Sequence, residues 1–181
     1  MDVDPESSIA IQIVLIVVLT LINAYFAASE MAIVSVNKSK IHRLSEEGNK
    51  KAKLVEKLLD QPTNFLSTIQ VAITLAGFFN SASAATGISK SFADVLKNWS
   101  VPYADTIVVV LITILISFIT LIFGELVPKR IALQKAESYS MFCAKPILVI
   151  SKIASPFIKI LSWSTKFILR IFGMADENVE E

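Results

Sequence analysis

The chain has 181 residues, 54% hydrophobic and only 18% charged, which excludes an ordinary soluble fold and suits a single membrane-embedded domain. Seventeen basic and sixteen acidic residues nearly cancel, so net charge gives no reason to expect nucleic acid as a partner. One cysteine, Cys143, and one histidine, His42, exclude a disulfide framework and a Cys/His zinc centre; Cys143 reads as a packing residue and His42 as a solvent-facing one.

The first apolar run follows Met1-Asp2-Val3-Asp4-Pro5-Glu6, which is acidic where a secretory signal is basic, so the run is expected to stay in the mature protein. It predicts a span over about residues 9–34, with no charge from Ile9 to Ala28, enough to cross a hydrocarbon core of ~30 Å. A second uncharged run, richer in Ser, Thr, Ala and Gly, predicts a span over about 65–88. The third covers about 106–127 and is the most lipophilic, with Ile107-Val108-Val109-Val110-Leu111-Ile112 near its start. Between the first two, residues 37–64 carry Lys38, Lys40, Arg43, Lys50, Lys51, Lys53 and Lys57, whereas residues 89–105 carry only Lys90 and Lys97. That asymmetry places the first loop and Lys129-Arg130 in the cytoplasm of a multi-pass plasma-membrane protein, with an external N-terminus and a cytoplasmic C-terminus. Within the basic loop, residues 52–59 predict a short helix with Leu54, Val55, Leu58 and Leu59 on its apolar edge, ended by Asp60-Gln61-Pro62.

The last apolar stretch, about 138–173, carries Lys145, Lys152, Lys159 and Lys166 every seven residues, with Arg170 one turn on. On a helix this spacing makes one cationic stripe, drifting by ~20° per step. A spanning helix would place such charges near the midplane at about 2.5–3.5 kcal/mol each. The stretch is therefore expected to lie along the membrane surface against anionic lipid headgroups, started and kinked by Pro146 and Pro156. An ordinary buried helix is the other reading. The acidic residues 176–181 read as a linker.

The predicted fold class is thus all-α integral membrane, three spans plus one interfacial helix. Polar side chains within the spans mark candidate sites. They are Asn23, Ser29 and Glu30 in the first; Thr68, Gln70, Thr74, Asn80, Ser81 and Ser83 in the second; Thr113, Ser117 and Thr120 in the third. Isolated Ser and Thr also bond back to their own helix carbonyls, and Gly77, Ser81 and Ala85 at four-residue spacing read as a close-packing edge.

The segment Gly124-Glu125-Leu126-Val127-Pro128-Lys129 says most. Pro128 has no N–H, so the Gly124 carbonyl loses its helical partner beside the Glu125 carboxylate. Interrupted helices of this kind coordinate cations in transporters. A second reading has Glu125 at a helix end, paired with Lys129 at i+4. Oxygen-only ligands select Mg²⁺, Ca²⁺ or Na⁺ over zinc or copper. Glu30 and Glu125, if at one depth, need a cation or proton between them.

Three segments together resemble the membrane domain of the CNNM/CorC family: Tyr25-Phe26-Ala27-Ala28-Ser29-Glu30-Met31-Ala32, Ser67-Thr68-Ile69-Gln70-Val71-Ala72-Ile73-Thr74-Leu75, and Gly124 to Lys129. The resemblance implies a homodimer of three-span subunits, each with a belt helix and a cytosol-facing acidic cavity. It implies Mg²⁺ export, with Na⁺ as a coupling ion, and a cytosolic CBS-domain pair following the membrane domain. Carried over by position, Ser29 and Glu125 contact the ion. The sequence departs at Ile73, where magnesium-binding members tend to carry asparagine; Gln70, Thr74 and Asn80 are its potential replacements.

The resulting expectation is transport of a hard divalent cation, Mg²⁺ first, by alternating access at Ser29, Gly124, Glu125, Glu30, Gln70, Thr74 and Asn80, with Pro128 as the helix break. The alternative is a dimeric scaffold or regulator without flux. No nucleophile–base pair or phosphate-binding glycine loop points to an enzyme.

Overall fold

The computed structural model describes residues 5–83 and 102–172, with positions 85, 89, 92 and 93 between them. Lys90, Lys97, the far end of the second span and the acidic tail fall outside the described residues. Every regular element among those described is helical: α1 (Pro5–Ser35), α2 (Lys38–Glu46), α3 (Lys50–Leu59), α4 (Pro62–Ser83), α5 (Ala104–Leu121), a π-helical turn (Ile122–Leu126), α6 (Val127–Gln134) and α7 (Ala136–Ile171). Both α1 and α4 begin on a proline, whose fixed φ and missing N–H suit the first turn.

Among the described residues four stretches, not the expected three, are long and apolar enough to cross a membrane: Ile9–Ser35, Pro62–Ser83, Ala104–Gln134 and Ala136–Ile171. The fourth is α7. Its 36 residues amount to roughly 54 Å of helix, and its cations are diluted by Ile, Leu, Phe and Val. Pro146 does not start it either: both prolines lie inside one helix that begins ten residues earlier. Ile11, Val14 and Leu21 on α1, and Val110, Leu111, Ile114 and Phe118 on α5, stand more than half exposed, as lipid-facing side chains do.

The chain divides into two compact units, Met1–Ala28 with Ala72–Gln134, and Ser29–Val71 with Lys135–Glu181. The second is built on a hairpin of α2 and α3, and α3 packs against α7. Asn37 caps α2, accepting from the Lys40 N–H at 3.0 Å; Asn49 caps α3, accepting from Lys51 and Ala52 at 2.9 and 3.2 Å. Gly48 (φ +89°) ends α2, with its N–H on the Ser45 carbonyl and the Asn49 N–H on that of Leu44, a Schellman closure requiring the left-handed region. Ile41, Ala52, Val55 and Leu58 are buried with Cys143, Ala144 and Ile147 of α7 in this unit's core. The apolar edge of α3 therefore runs through Ala52, Val55 and Leu58, with Leu54 and Leu59 only partly covered. An ion pair between Lys40 and Glu137 ties α2 to α7, and the Ser151 hydroxyl meets Thr68 Oγ1 at 2.9 Å, tying α7 to α4.

His42 is exposed, as expected, yet engaged. Its Nδ1 lies 2.6 Å from Glu56 Oε1 and its Nε2 3.4 Å from Glu46 Oε1, while the Ser45 hydroxyl donates to Glu56. The hydrogen bond to Glu56, then the charges of Glu46 and Glu56, hold the imidazole above its ordinary 6.5. Ser45 and then His42 hold Glu56 below its ordinary 4.5. The raised histidine contributes fully below pH 6.5 and loses its contribution as pH rises through its folded value. The lowered glutamate contributes above pH 4.5 and is lost as pH falls through its own. The hairpin is thus expected to be best protected in mildly acid solution. Amide hydrogen exchange across α2 and α3 should show protection declining from pH 6 toward alkaline pH after correction for intrinsic exchange, roughly over the histidine range. His42→Gln should flatten that decline.

Candidate functional site

The polar groups of the first unit converge on the π-turn. Pro128 cannot donate to the carbonyl four residues back, so a regular helix through Gly124 would leave that carbonyl unpaired. The chain widens there by one residue, and the Val127 N–H donates to the Ile122 carbonyl, five back. The Gly124 carbonyl accepts instead from Asn23 Nδ2 of α1 at 3.0 Å. It is therefore not the free oxygen expected from the sequence. A Cβ on residue 124 would lie 3.2 Å from Asn23 Nδ2 and 3.3 and 3.4 Å from the methyls of Thr120 and Thr20, so glycine permits the approach.

Asn80 of α4 continues the network. Its Nδ2 donates to Thr20 Oγ1 at 3.2 Å and to Thr120 Oγ1 at 2.7 Å. Asn23 and Asn80 are 5% and 2% exposed, and the side-chain oxygen of each has no hydrogen-bond partner among the described residues. Both line a cavity of about 340 Å³, together with Thr74, Gly77, Ser81, Ser117, Thr120 and Glu125 among others. Its walls come from α1, α4, α5 and the π-turn, all within one unit.

Glu125 supplies the cavity's carboxylate, and its Oε1 holds Lys129 Nζ at 2.9 Å. The i+4 pairing that the sequence allowed is thus present on a residue that also lines the cavity. Of the site residues expected from the sequence, Gly124, Glu125, Thr74 and Asn80 come together here. Ser29, Glu30 and Gln70 belong to the second unit, where Ser29 is fully buried with its hydroxyl toward Tyr139 and Cys143. A pair of carboxylates at Glu30 and Glu125 is not a feature of either unit taken by itself. The described residues contain no cluster of three His, Cys, Asp or Glu side chains. The cavity's chemistry is instead one carboxylate with amide and hydroxyl oxygens, a donor set for a hard or organic cation.

Thr20 was not singled out by the sequence, and Asn23 only as a polar residue without a role. Their three-residue separation on an uncharged span was the available signal, since it puts both on one helix face. Of the polar residues of the third span, Ser117 and Thr120 line the cavity, whereas Thr113 does not.

Helices of this length and apolarity, enclosing a polar cavity with a broken helix on its wall, define a multi-pass membrane domain. The chain belongs to the cyclin M (CNNM) transmembrane N-terminal domain family, whose model matches residues 14–181. It is 36% identical over 174 residues to UPF0053 protein sll0260 of Synechocystis sp., covering 95% of this chain and 39% of that protein. Identity to UPF0053 protein YhdP of Bacillus subtilis is 34% over 173 residues, covering 94% and 38%. A protein of Haemophilus influenzae named polyamine export protein is 28% identical over 183 residues, covering 92% and 41%. The chain spans about two fifths of the length of these relatives.

Asn23→Leu should leave the Gly124 carbonyl without its side-chain donor in a buried setting. The expected loss is about 1–2 kcal/mol of stability, read in detergent by reversible denaturant unfolding, with Thr113→Val near neutral as control.

Proposed function

We propose that this domain forms the membrane pathway of a cation exporter, with Mg²⁺ as the leading cargo and Glu125 as the residue that engages it. The observation that carries this reading is the Glu125 carboxylate on the π-turn wall of a polar cavity, among helices apolar enough to cross a membrane. A carboxylate beside amide and hydroxyl oxygens favours a hard cation, and an interrupted helix supplies such oxygens within a bilayer. Lys129 holds the carboxylate when cargo is absent, so cargo binding displaces an ammonium rather than filling a bare negative site. Alternating access then exposes the cavity to one side at a time. Na⁺ as coupling ion, a homodimeric assembly, an external N-terminus and a following cytosolic CBS pair complete the proposal.

A polyamine is the second reading. A cavity of about 340 Å³ with a single carboxylate among its described lining residues is large for one dehydrated metal ion and has room for an extended organic cation. The relative named for polyamine export lends it support.

The test is thermal stability of the purified protein in detergent against Mg²⁺, Ca²⁺ and spermidine at constant ionic strength. A ligand bound only by the folded state stabilises it by roughly 2.7 kcal/mol at a hundredfold excess over its dissociation constant. Glu125→Gln should abolish the effect of the true cargo. Lys129→Gln should tighten binding a few-fold, since a partly exposed ion pair is worth about 1 kcal/mol or less. If no cation stabilises the wild type and proteoliposomes show no flux, the domain is a scaffold or regulator instead.

For α7 we propose a course along the membrane surface, supported by its exposed Lys145, Lys152, Lys159, Lys166 and Arg170. Lys145 and Lys166 are separated by roughly 32 Å of helix, about the thickness of the hydrocarbon core. An impermeant maleimide should label Lys145→Cys and Lys166→Cys from the same side of the membrane in a Cys143→Ala background. Labelling from opposite sides means that α7 crosses.

A further inference from the structure

The two asparagines of the first unit, which the Glu125 reading counts only among the cavity's oxygens, have a geometry of their own. Asn23 Nδ2 donates to a backbone carbonyl, which fixes the orientation of that amide and commits its oxygen elsewhere. The Asn80 amide is held by two threonine hydroxyls, Thr20 and Thr120. Both amide oxygens are then left without a partner among the described residues, on side chains of residues at least nine-tenths buried, and both residues line the cavity. A buried polar atom without a partner is costly, and two around one cavity require a common explanation.

We propose that Asn23 and Asn80 form a binding site for a monovalent metal cation, Na⁺ or K⁺, coordinated by their side-chain oxygens with the Thr20 and Thr120 hydroxyls. The ligand set carries no charge: two amides and two hydroxyls, while the cavity's carboxylate is committed to Lys129. Neutral oxygens at this burial suit an ion that surrenders its water readily. Mg²⁺ dehydrates reluctantly and demands near-octahedral geometry, and a dehydrated divalent ion has no neutralising partner among these four side chains. The hydroxyls contribute because each accepts from Asn80 through one lone pair and keeps another. The four ligands are side chains of α1, α4 and α5, whereas Glu125 is carried on the π-turn of the same cavity.

The competing occupant is a buried water donating to both amide oxygens. Thermal unfolding of the full chain in detergent separates the two. Chloride salts of Na⁺, K⁺ and N-methylglucamine are compared at one ionic strength, in wild type, Glu125→Gln, Asn80→Leu and Asn80→Asp, with Mg²⁺ and Ca²⁺ chlorides added to the series for wild type and Asn80→Asp. A monovalent site gives a saturable rise of a few degrees with Na⁺ or K⁺ over N-methylglucamine. That rise survives in Glu125→Gln, disappears in Asn80→Leu, and gives way in Asn80→Asp to stabilisation by Mg²⁺ or Ca²⁺. Should Asn80→Leu fail to fold, Asn80→Asp decides by that change of preference; an unchanged preference overturns the site. Equal melting in all three salts overturns it in favour of water. A rise that persists in Asn80→Leu, or vanishes in Glu125→Gln, places the ion elsewhere and also overturns it. Failure here leaves the Glu125 reading standing, because that reading depends on the response to Mg²⁺, Ca²⁺ or spermidine.

Discussion

One hydrogen bond organises the first unit: the Asn23 amide on the Gly124 carbonyl. Hydrocarbon offers no solvent to an orphaned peptide group, so a proline-interrupted helix survives there only where the protein supplies a replacement donor. Pro128 creates the need and Asn23 meets it across more than a hundred residues of sequence. Glycine at 124 follows, because any larger residue would press on Asn23, Thr120 and Thr20. The widened turn follows as well, and Glu125 is carried on it at the wall of the cavity.

The two units treat their polar groups differently. In the second unit the described groups find one another: Thr68 donates to the Asn64 carbonyl and meets Ser151, Ser140 donates to the Glu137 carbonyl, and Lys40 pairs with Glu137. These contacts fasten helices. In the first unit, two amide oxygens at the cavity have no partner among the described residues. Surplus acceptor capacity at a cavity is what a cation-handling site requires and a purely structural network avoids.

Composition and periodicity made the helical membrane class and the three polar segments readable, because length, apolarity and charge placement act locally along the chain. The Gly124–Lys129 segment was readable too, since a proline removes a named donor from a named acceptor. What answers that loss was not readable, as nothing local links Asn23 to Gly124. The helix α2 was missed although Asn37 marks its start, because the basic residues around it concealed a face of only Ile41 and Ser45. For α7 the lysine spacing took precedence over length, so three spans were expected where the described residues hold four helices long and apolar enough to cross. Ser29 and Glu30 adjoin a boundary between compact units, which sequence patterning does not reveal.

That boundary has a consequence for how the chain is made and cut. The backbone passes between the units after Ala28, after Val71 and after Gln134, and the first two of these passages fall inside α1 and α4. Neither unit is therefore a continuous piece of chain. A nascent chain stopped at Gln134 has all of the first unit's residues but lacks α7, against which α3 packs in the second. The second unit must hold its early segments, from Ser29 to Val71, until the last helix has been synthesised. Excising either unit as a fragment would mean cutting through two helices, so neither can be taken from the chain without breaking the other.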